Sequence, residues 1–281
     1  MSTLKPGTAV VTGGTGGIGR WIALGLAQAG YTVVLVGRDR VRGEAVRAWV
    51  SEQAAGTVAE LMVADLSSLA ATQALGRNIA KRHPRVSLLV NNAGVFRARR
   101  ERTAEGHDMV LAVNHLSPFV LTRELEGPLR AGAPSRIVTV GSSTSDRARI
   151  DPDNLELEHR WGMVRAYSQS KLAVMMATFE WARRLDGSGV VANVVHPGTV
   201  ATGLVRTPGI IGLVWRLMAL WSRSEQEGAD TPLHVALAPD LAGVTGKYFK
   251  ERRIAEPNRL ARDPELAGRV WRATEGLVTL A

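Results

Sequence analysis

The chain has 281 residues, 45% hydrophobic and 22% charged, the balance of an ordinary globular protein and not of a disordered or fibrous one. It has no cysteine, and its six histidines show no H-E-x-x-H spacing, so disulfide frameworks, thiolate metal centres and cysteine nucleophiles are excluded and no metal site is expected. The formal net charge of +9 is spread along the chain, and aromatics make up only 5%, so there is no stacking platform beside a basic groove and nucleic acid is not an expected partner.

A first strand is expected at Thr8–Thr12, close enough to Met1 that no signal peptide or N-terminal anchor is expected and the location reads as cytoplasmic. Gly13-Gly14-Thr15-Gly16-Gly17-Ile18-Gly19 then opens a helix over Gly17–Gln28. Gly13 permits a tight turn, Gly17 lets the backbone approach a pyrophosphate, and Gly19 allows close helix–strand packing, with free N–H groups and the positive dipole end facing the phosphates. A plain glycine-rich turn is the alternative. After a second strand, Thr32–Val36, the position where an acid would hold a ribose 2′-hydroxyl is Gly37, and Arg38 can pair instead with a 2′-phosphate, which points to NADP. The plainer reading is a solvated arginine, with Asp39 capping a helix over Arg40–Gln53. Beyond a third strand, Val58–Val63, Asp65-Leu66 offers an acceptor and an apolar contact to adenine, or Asp65 caps the helix Leu69–Arg82.

A fourth strand, Ser87–Asn91, leads into Asn91-Asn92-Ala93-Gly94, small residues that let the chain pass a ligand and amides that tie neighbouring strands, mainly a scaffold role. The basic cluster Arg97, Arg99, Arg100 and Arg102 follows and reads as solvated surface near the pocket mouth. One long helix is expected over Glu105–Leu129. After a fifth strand, Arg136–Gly141, come the hydroxyls Ser142-Ser143-Thr144-Ser145. In the helix Ala166–Leu185, Tyr167 and Lys171 stand at i and i+4 on one face, where the ammonium is expected to lower the phenol's pKa; a solvent-facing tyrosine beside a surface lysine is the alternative. A sixth strand, Val190–His196, a helix over Glu225–Ala238 and a seventh strand, Gly246–Phe249, complete the series. The apolar stretch Ile210–Trp221 is shorter than the roughly 20 residues a bilayer needs. It reads as a buried core helix, a lipophilic substrate lid or a surface-lying segment. Such a βαβα series predicts an α/β, single-domain doubly wound (Rossmann) parallel sheet of about seven strands with helices on both faces, binding its ligand beyond the strands' carboxyl ends.

Together these residues resemble the short-chain dehydrogenase/reductase family along almost the whole chain. The motifs are Thr12–Gly19, Asn91–Gly94, Ser142 with Tyr167 and Lys171, and His196-Pro197-Gly198-Thr199. Glu105-Gly106-His107, Val113-Asn114-His115-Leu116 and the 25-residue gap from Ser142 to Tyr167 resemble its retinol-dehydrogenase-like branch. The resemblance implies that Tyr167 exchanges a proton with the substrate oxygen, Lys171 holds the nicotinamide ribose, Ser142 hydrogen-bonds the carbonyl, and Asn114 holds a water in a relay behind Lys171. Gly13, Thr15, Gly16, Gly17, Ile18, Gly19, Arg38, Asp65, Leu66, Asn92, Ala93 and Gly94 would bind the cofactor with Tyr167 and Lys171, and Pro197, Gly198 and Thr199 would border the nicotinamide. The expected protein is an NADP(H)-dependent oxidoreductase, a tailoring ketoreductase of secondary metabolism among the candidates, with a substrate lid over about 199–224 and a C-terminal extension over about 250–281. Its expected partners are a bulky hydrophobic carbonyl or alcohol and, at most, further copies of the same chain, without an integral membrane anchor. The rival readings are a cofactor-binding redox sensor without turnover and a non-redox rearrangement or cyclisation on the same fold.

Overall fold

A strand whose side chains are apolar on both faces has to lie between two layers, and the runs Ala9-Val10-Val11 and Val33-Val34-Leu35-Val36 are buried throughout. The computed structural model describes residues 6–54, 56–200 and 223–279. The apolar stretch Ile210–Trp221, and with it most of the expected lid, lies outside the described residues. The strands are β1 (Thr8–Thr12), β2 (Thr32–Gly37), β3 (Ala59–Val63), β4 (Val86–Asn91), β5 (Ser135–Val140), β6 (Val190–His196), β7 (Tyr248–Lys250) and β8 (Arg253–Ala255). They form one sheet in the order β3-β2-β1-β4-β5-β6-β7-β8. All neighbours are parallel except β7 and β8. The order reverses between β1 and β4, which puts the ligand crevice at their carboxyl ends.

Alternate residues of β1 serve opposite cores. Ala9 and Val11 pack with helices α1 (Gly17–Gln28), α2 (Arg40–Gln53) and the later helix at Glu225–Leu237. Val10 packs on the other face, with α3 (Leu69–Arg82) and the helices contributing Phe119, Trp181 and Trp271.

The expected helix Glu105–Leu129 is broken into pieces: α4 (Met109–Leu111), a π-helical turn over Ala112–Leu116, α5 (Ser117–Glu124) and α6 (Glu126–Ala131). Pro118 has no N–H to give the carbonyl four residues back, so the ladder widens ahead of it. Glu105 lies outside the helix altogether. Its carboxylate caps α3, accepting from Leu69 N at 2.7 Å, Ala70 N at 3.1 Å and Ser68 Oγ at 2.8 Å.

Helix α7 spans Met163–Arg184 and α8 spans Glu225–Leu237, and two further elements were not expected. Strand β8 follows β7 through a two-residue turn in which Glu251 (φ 49°) and Arg252 (φ 63°) are both left-handed. That geometry normally selects Asn-Gly; here Arg252 is held by Asp230 and Thr231. Helix α9 (Pro264–Thr279) buries Ala267, Val270, Trp271, Thr274 and Val278, one stripe at helical spacing. Among the described residues no helix is long and apolar enough to cross a membrane.

Candidate active site

At the carboxyl end of β1, Thr12 joins the two strands that flank the crevice. Its hydroxyl accepts from Asn92 N at 3.0 Å and Ala93 N at 3.1 Å and donates to Val90 O at 3.3 Å. Asn92 returns the link, its Nδ2 donating to Thr12 O at 2.9 Å, and Asn91 Nδ2 reaches Thr122 Oγ1 at 3.3 Å. Gly13 (φ 64°) and Gly17 (φ 52°) are left-handed, as the turn requires. A Cβ on Gly19 would stand 2.1 Å from Gly13 O, so the helix can lie this close to the loop only without a side chain there. Gly16 caps α1 without a side-chain acceptor, leaving the first N–H groups of the helix open to an anion. Ile18 packs toward Gly228 of α8.

Thr15 is buried, and a Cβ on Gly37 would fall 2.2 Å from its hydroxyl. The end of β2 therefore has no space for an acidic side chain. Arg38 is exposed beside it, and Asp39 caps α2 by accepting from Arg42 N at 3.0 Å. Arg42 is a further residue at this rim, not expected from the sequence. Its guanidinium lies 3.8–4.0 Å from the position of a Gly16 Cβ, so a second cation borders the glycine-rich loop. The available signal was its place four residues after Arg38, in the first turn of α2. Asp65 is exposed and accepts from Ser67 N at 2.9 Å, while Ser68 is the true cap of α3. Leu66 is buried in the core.

On the other side of the crevice, Ser142 faces the Tyr167 phenol from the end of β5, close enough to favour its phenolate. Thr144 holds Ser142, its N and Oγ1 donating to Ser142 Oγ at 3.3 and 3.1 Å, whereas Ser143 is exposed. One turn along α7, Lys171 is 4% exposed, which rules out a surface lysine. Its Nζ donates to Val140 O at 2.9 Å and lies 5.9 Å from the centroid of the Tyr167 ring. Asn114, in the π turn, pins the loop after Gly94: its Oδ1 accepts from Val95 N at 2.7 Å, and its Nδ2 donates to Val95 O and Ser170 Oγ, both at 3.0 Å. Gly94 lies between the two, its Cβ position 3.4 Å from Asn114 Oδ1 and 3.5 Å from Lys171 Nζ. Past β6, Pro197 is buried, Gly198 is left-handed (φ 87°), and Thr199 O accepts from Arg223 N at 2.8 Å.

The expectation that Lys171 lowers the phenol's pKa is overturned. Burial pushes Tyr167 up to about 12, and the nearby Ser142 hydroxyl offsets only part of this. Burial also brings Lys171 down to about 8. Desolvation disfavours both charged forms here and outweighs an ammonium that already donates to a backbone carbonyl.

In the arginine cluster, Arg99 and Arg102 are exposed, as a solvated surface requires, and Arg97 and Arg100 are partly buried. Arg97 pairs with Glu101 at 2.9 Å, Arg100 donates to Glu156 O at 2.9 Å, and Arg102 meets Glu158 at 2.7 Å.

With the fold and the crevice defined, the comparisons with known proteins agree. Residues 7–208 match the profile of the short chain dehydrogenases. The chain is 37% identical to retinol dehydrogenase 14 of Homo sapiens over 290 residues, covering 97% of this chain and 86% of that protein. It is 39% identical to polyprenol dehydrogenase of Mus musculus over 282 residues, covering 97% and 84%. Among solved structures, a short chain dehydrogenase from Burkholderia cenocepacia in complex with NADP aligns with a TM-score of 0.72 at 27% identity, over 88% of this chain and 97% of that one. The chain belongs to the short-chain dehydrogenase/reductase family, and it is an oxidoreductase enzyme with an NAD(P)-binding fold.

Proposed function

We propose that the protein is an NADP(H)-dependent reductase that interconverts a bulky hydrophobic ketone or aldehyde and its alcohol. The observation that carries this is the juxtaposition of Ser142 and the Tyr167 phenol with a buried Lys171 one helical turn away, its Nζ 5.9 Å from the phenol ring and beside Gly94 of the crevice. The residues present fit a dinucleotide phosphate: an uncapped helix N-terminus at Gly16, no space for an acid at Gly37, and two arginines, Arg38 and Arg42, at the same rim. Thr15, Gly17 and Gly19 would form the floor beneath the phosphates, and Gly94, Lys171 and Pro197–Thr199 would border the nicotinamide end. When bound, the reduced nicotinamide supplies the hydride.

The protein's own residues supply the proton and orient the carbonyl. The Ser142 hydroxyl and the Tyr167 phenol both donate to the carbonyl oxygen, which stabilises the charge that develops there. A phenol held near 12 is protonated at neutral pH, the form needed to give a proton during reduction. Lys171 orients the phenol from the next turn, and Asn114 keeps Gly94 and α7 in register behind it. The names of the relatives support the substrate class, since retinol and polyprenol are both long isoprenoid alcohols. The apolar Ile210–Trp221 stretch supports it from sequence.

Tyr167→Phe keeps the ring and removes the proton. Turnover of NADPH with a bulky ketone or aldehyde is expected to fall at least about 100-fold, with NADPH affinity little changed. Near-normal turnover in Y167F, or product formed by the wild type without NADPH oxidation, would overturn the proposal.

A further inference from the structure

The loop leading into α7 is held in an unfavourable shape. Leu157 (φ 49°) and Arg160 (φ 59°) are left-handed without being glycine, and Leu157 is buried. Such conformations persist only where surrounding contacts fix them. The fixing contacts come from the segment that leaves the crevice after Gly94. Glu156 is the centre of them: its Oε1 meets His107 Nδ1 at 2.7 Å, and its Oε2 accepts from Asp108 N at 2.6 Å. Asp108 is 3% exposed and divides its carboxylate. Oδ1 accepts from Val110 N and Leu111 N at 3.0 and 3.1 Å, and Oδ2 accepts from Trp161 Nε1 at 2.8 Å. The one polar atom of the Trp161 side chain is thereby satisfied inside the protein. Trp161 and Tyr167 both pack on the buried cluster of Val110, Leu157 and Ala166, and Trp161 remains half-buried. Phe96 meets the Tyr167 ring edge-on, with centroids 5.2 Å apart. A large apolar surface with a fixed orientation thus stands in the same cluster as the phenol.

We propose that Trp161 is a specificity-determining wall for the bulky substrate beside Tyr167, and that Glu156 is the positioning residue that holds it, through His107 and Asp108. This rests on the reading of Tyr167 as proton donor to a bulky carbonyl. Glu156 acts through Asp108, which holds Trp161 with one carboxylate oxygen and caps the helix leading to Asn114 with the other. An effect through the wall therefore raises KM for the bulky substrate alone, and an effect through Asn114 lowers kcat for every substrate.

The test compares two aldehydes with NADPH, all-trans-retinal and hexanal. Trp161→Ala is expected to raise KM for retinal about tenfold or more and to leave hexanal kcat/KM within about twofold, because only the long ligand uses the wall. Trp161→Phe should restore most of the retinal KM. Trp161→Leu, which keeps an apolar side chain for packing, takes the place of W161A if that variant fails to fold. Glu156→Ala should show the same KM-only pattern in weaker form, and adding it to W161A should change little. An equal fall in kcat for both aldehydes would overturn the wall in favour of structural support for Tyr167. Unchanged KM for both would overturn it outright, and additive losses in the double variant would overturn the role of Glu156. Retinol binding to the NADP-loaded enzyme, read by retinol fluorescence, separates the two readings. Binding weakened by W161A in an enzyme that reduces neither aldehyde overturns the reductase and leaves the wall. Reduction of both aldehydes with no difference in W161A does the reverse, and neither reduction nor binding overturns both.

Discussion

At the carboxyl end of β1 the crevice is shaped by backbone. Gly13 and Gly17 turn the chain, Gly19 lets the helix close on it, and the side chains that matter, Thr12 and Asn92, bond mainly to main-chain atoms. At the carboxyl end of β5 the shape is held by side chains distant in sequence. Trp161 is tied to Asp108, Glu156 to His107, Arg102 to Glu158 and Asn258 to the carbonyls of Ser145 and Ala148. The first arrangement presents N–H groups and space to a phosphate, which every dinucleotide carries. The second fixes the shape of a wall, and a wall can be exchanged without disturbing the sheet. One end of the sheet thus carries a cradle built from backbone beside a wall built from side chains.

Charge at the first region should show the largest effect. Arg38→Ala and Arg42→Ala are each expected to weaken NADPH relative to NADH by about tenfold or more, since a charge-assisted hydrogen bond contributes roughly 1.5–3 kcal/mol. Titration of both cofactors against each variant checks this, and an equal loss for both would mean that the arginine does not read the 2′-phosphate. Shape at the same region comes next. Gly19→Ala places a methyl 2.1 Å from Gly13 O and forces the loop to move. Affinity for NADPH and NADH alike should fall by about tenfold, the scale of overpacking at about 1–3 kcal/mol, with retinal and hexanal affected equally. A selective effect on one aldehyde would break the separation between the two regions.

That separation also explains what could be read from sequence. The first strand, the first three helices and the glycine loop were legible because their signals are local: β-branched runs, amphipathic spacing, and glycines just after a strand. Tyr167 and Lys171 were legible as a pair through their i, i+4 spacing, and Ser142 joined them only through the family resemblance, but the direction of the phenol's pKa was not legible. It depends on how deeply α7 is buried, which only the packed fold determines. The break in Glu105–Leu129 had a local cause in Pro118 that helical periodicity overrode. The hairpin at Glu251-Arg252 carried no glycine or asparagine signal, because its strain is relieved by Asp230, twenty-two residues away from Arg252. The partly buried bond of Arg100 had no local signal, because its partner lies 56 residues on. Helix α9, although not expected, carries a local signal in the stripe from Ala267 to Val278.

The smallest expected effect lies behind the site, where α9 closes over the π turn. His115, next to Asn114, is fully buried; its Nε2 bonds Thr274 Oγ1 at 2.7 Å, while its Nδ1 is buried without a hydrogen-bond partner among the described residues. Burial holds the imidazole neutral, lowering its pKa to about 3. In the unfolded chain the same group titrates near 6.5. Between those values the unfolded state binds more protons than the folded one, so His115 contributes stability that is complete above about pH 6.5 and is lost progressively as the pH falls toward 3. His196, held near 4 mainly by burial, and the depressed carboxylates of Glu105, Glu180 and Asp230 lose stability in the same direction, so the absolute curve does not isolate His115. The difference between two curves does. In urea titrations from pH 7 to pH 4.5, His115→Gln should lose stability less steeply than the wild type, by up to about 1.4 kcal/mol per pH unit, whatever its starting stability at pH 7. Parallel curves would mean that the imidazole becomes protonated without unfolding the chain, and that α9 can lift from the π turn as a unit. Acid would then act on Asn114 and the crevice loop before it acts on the sheet.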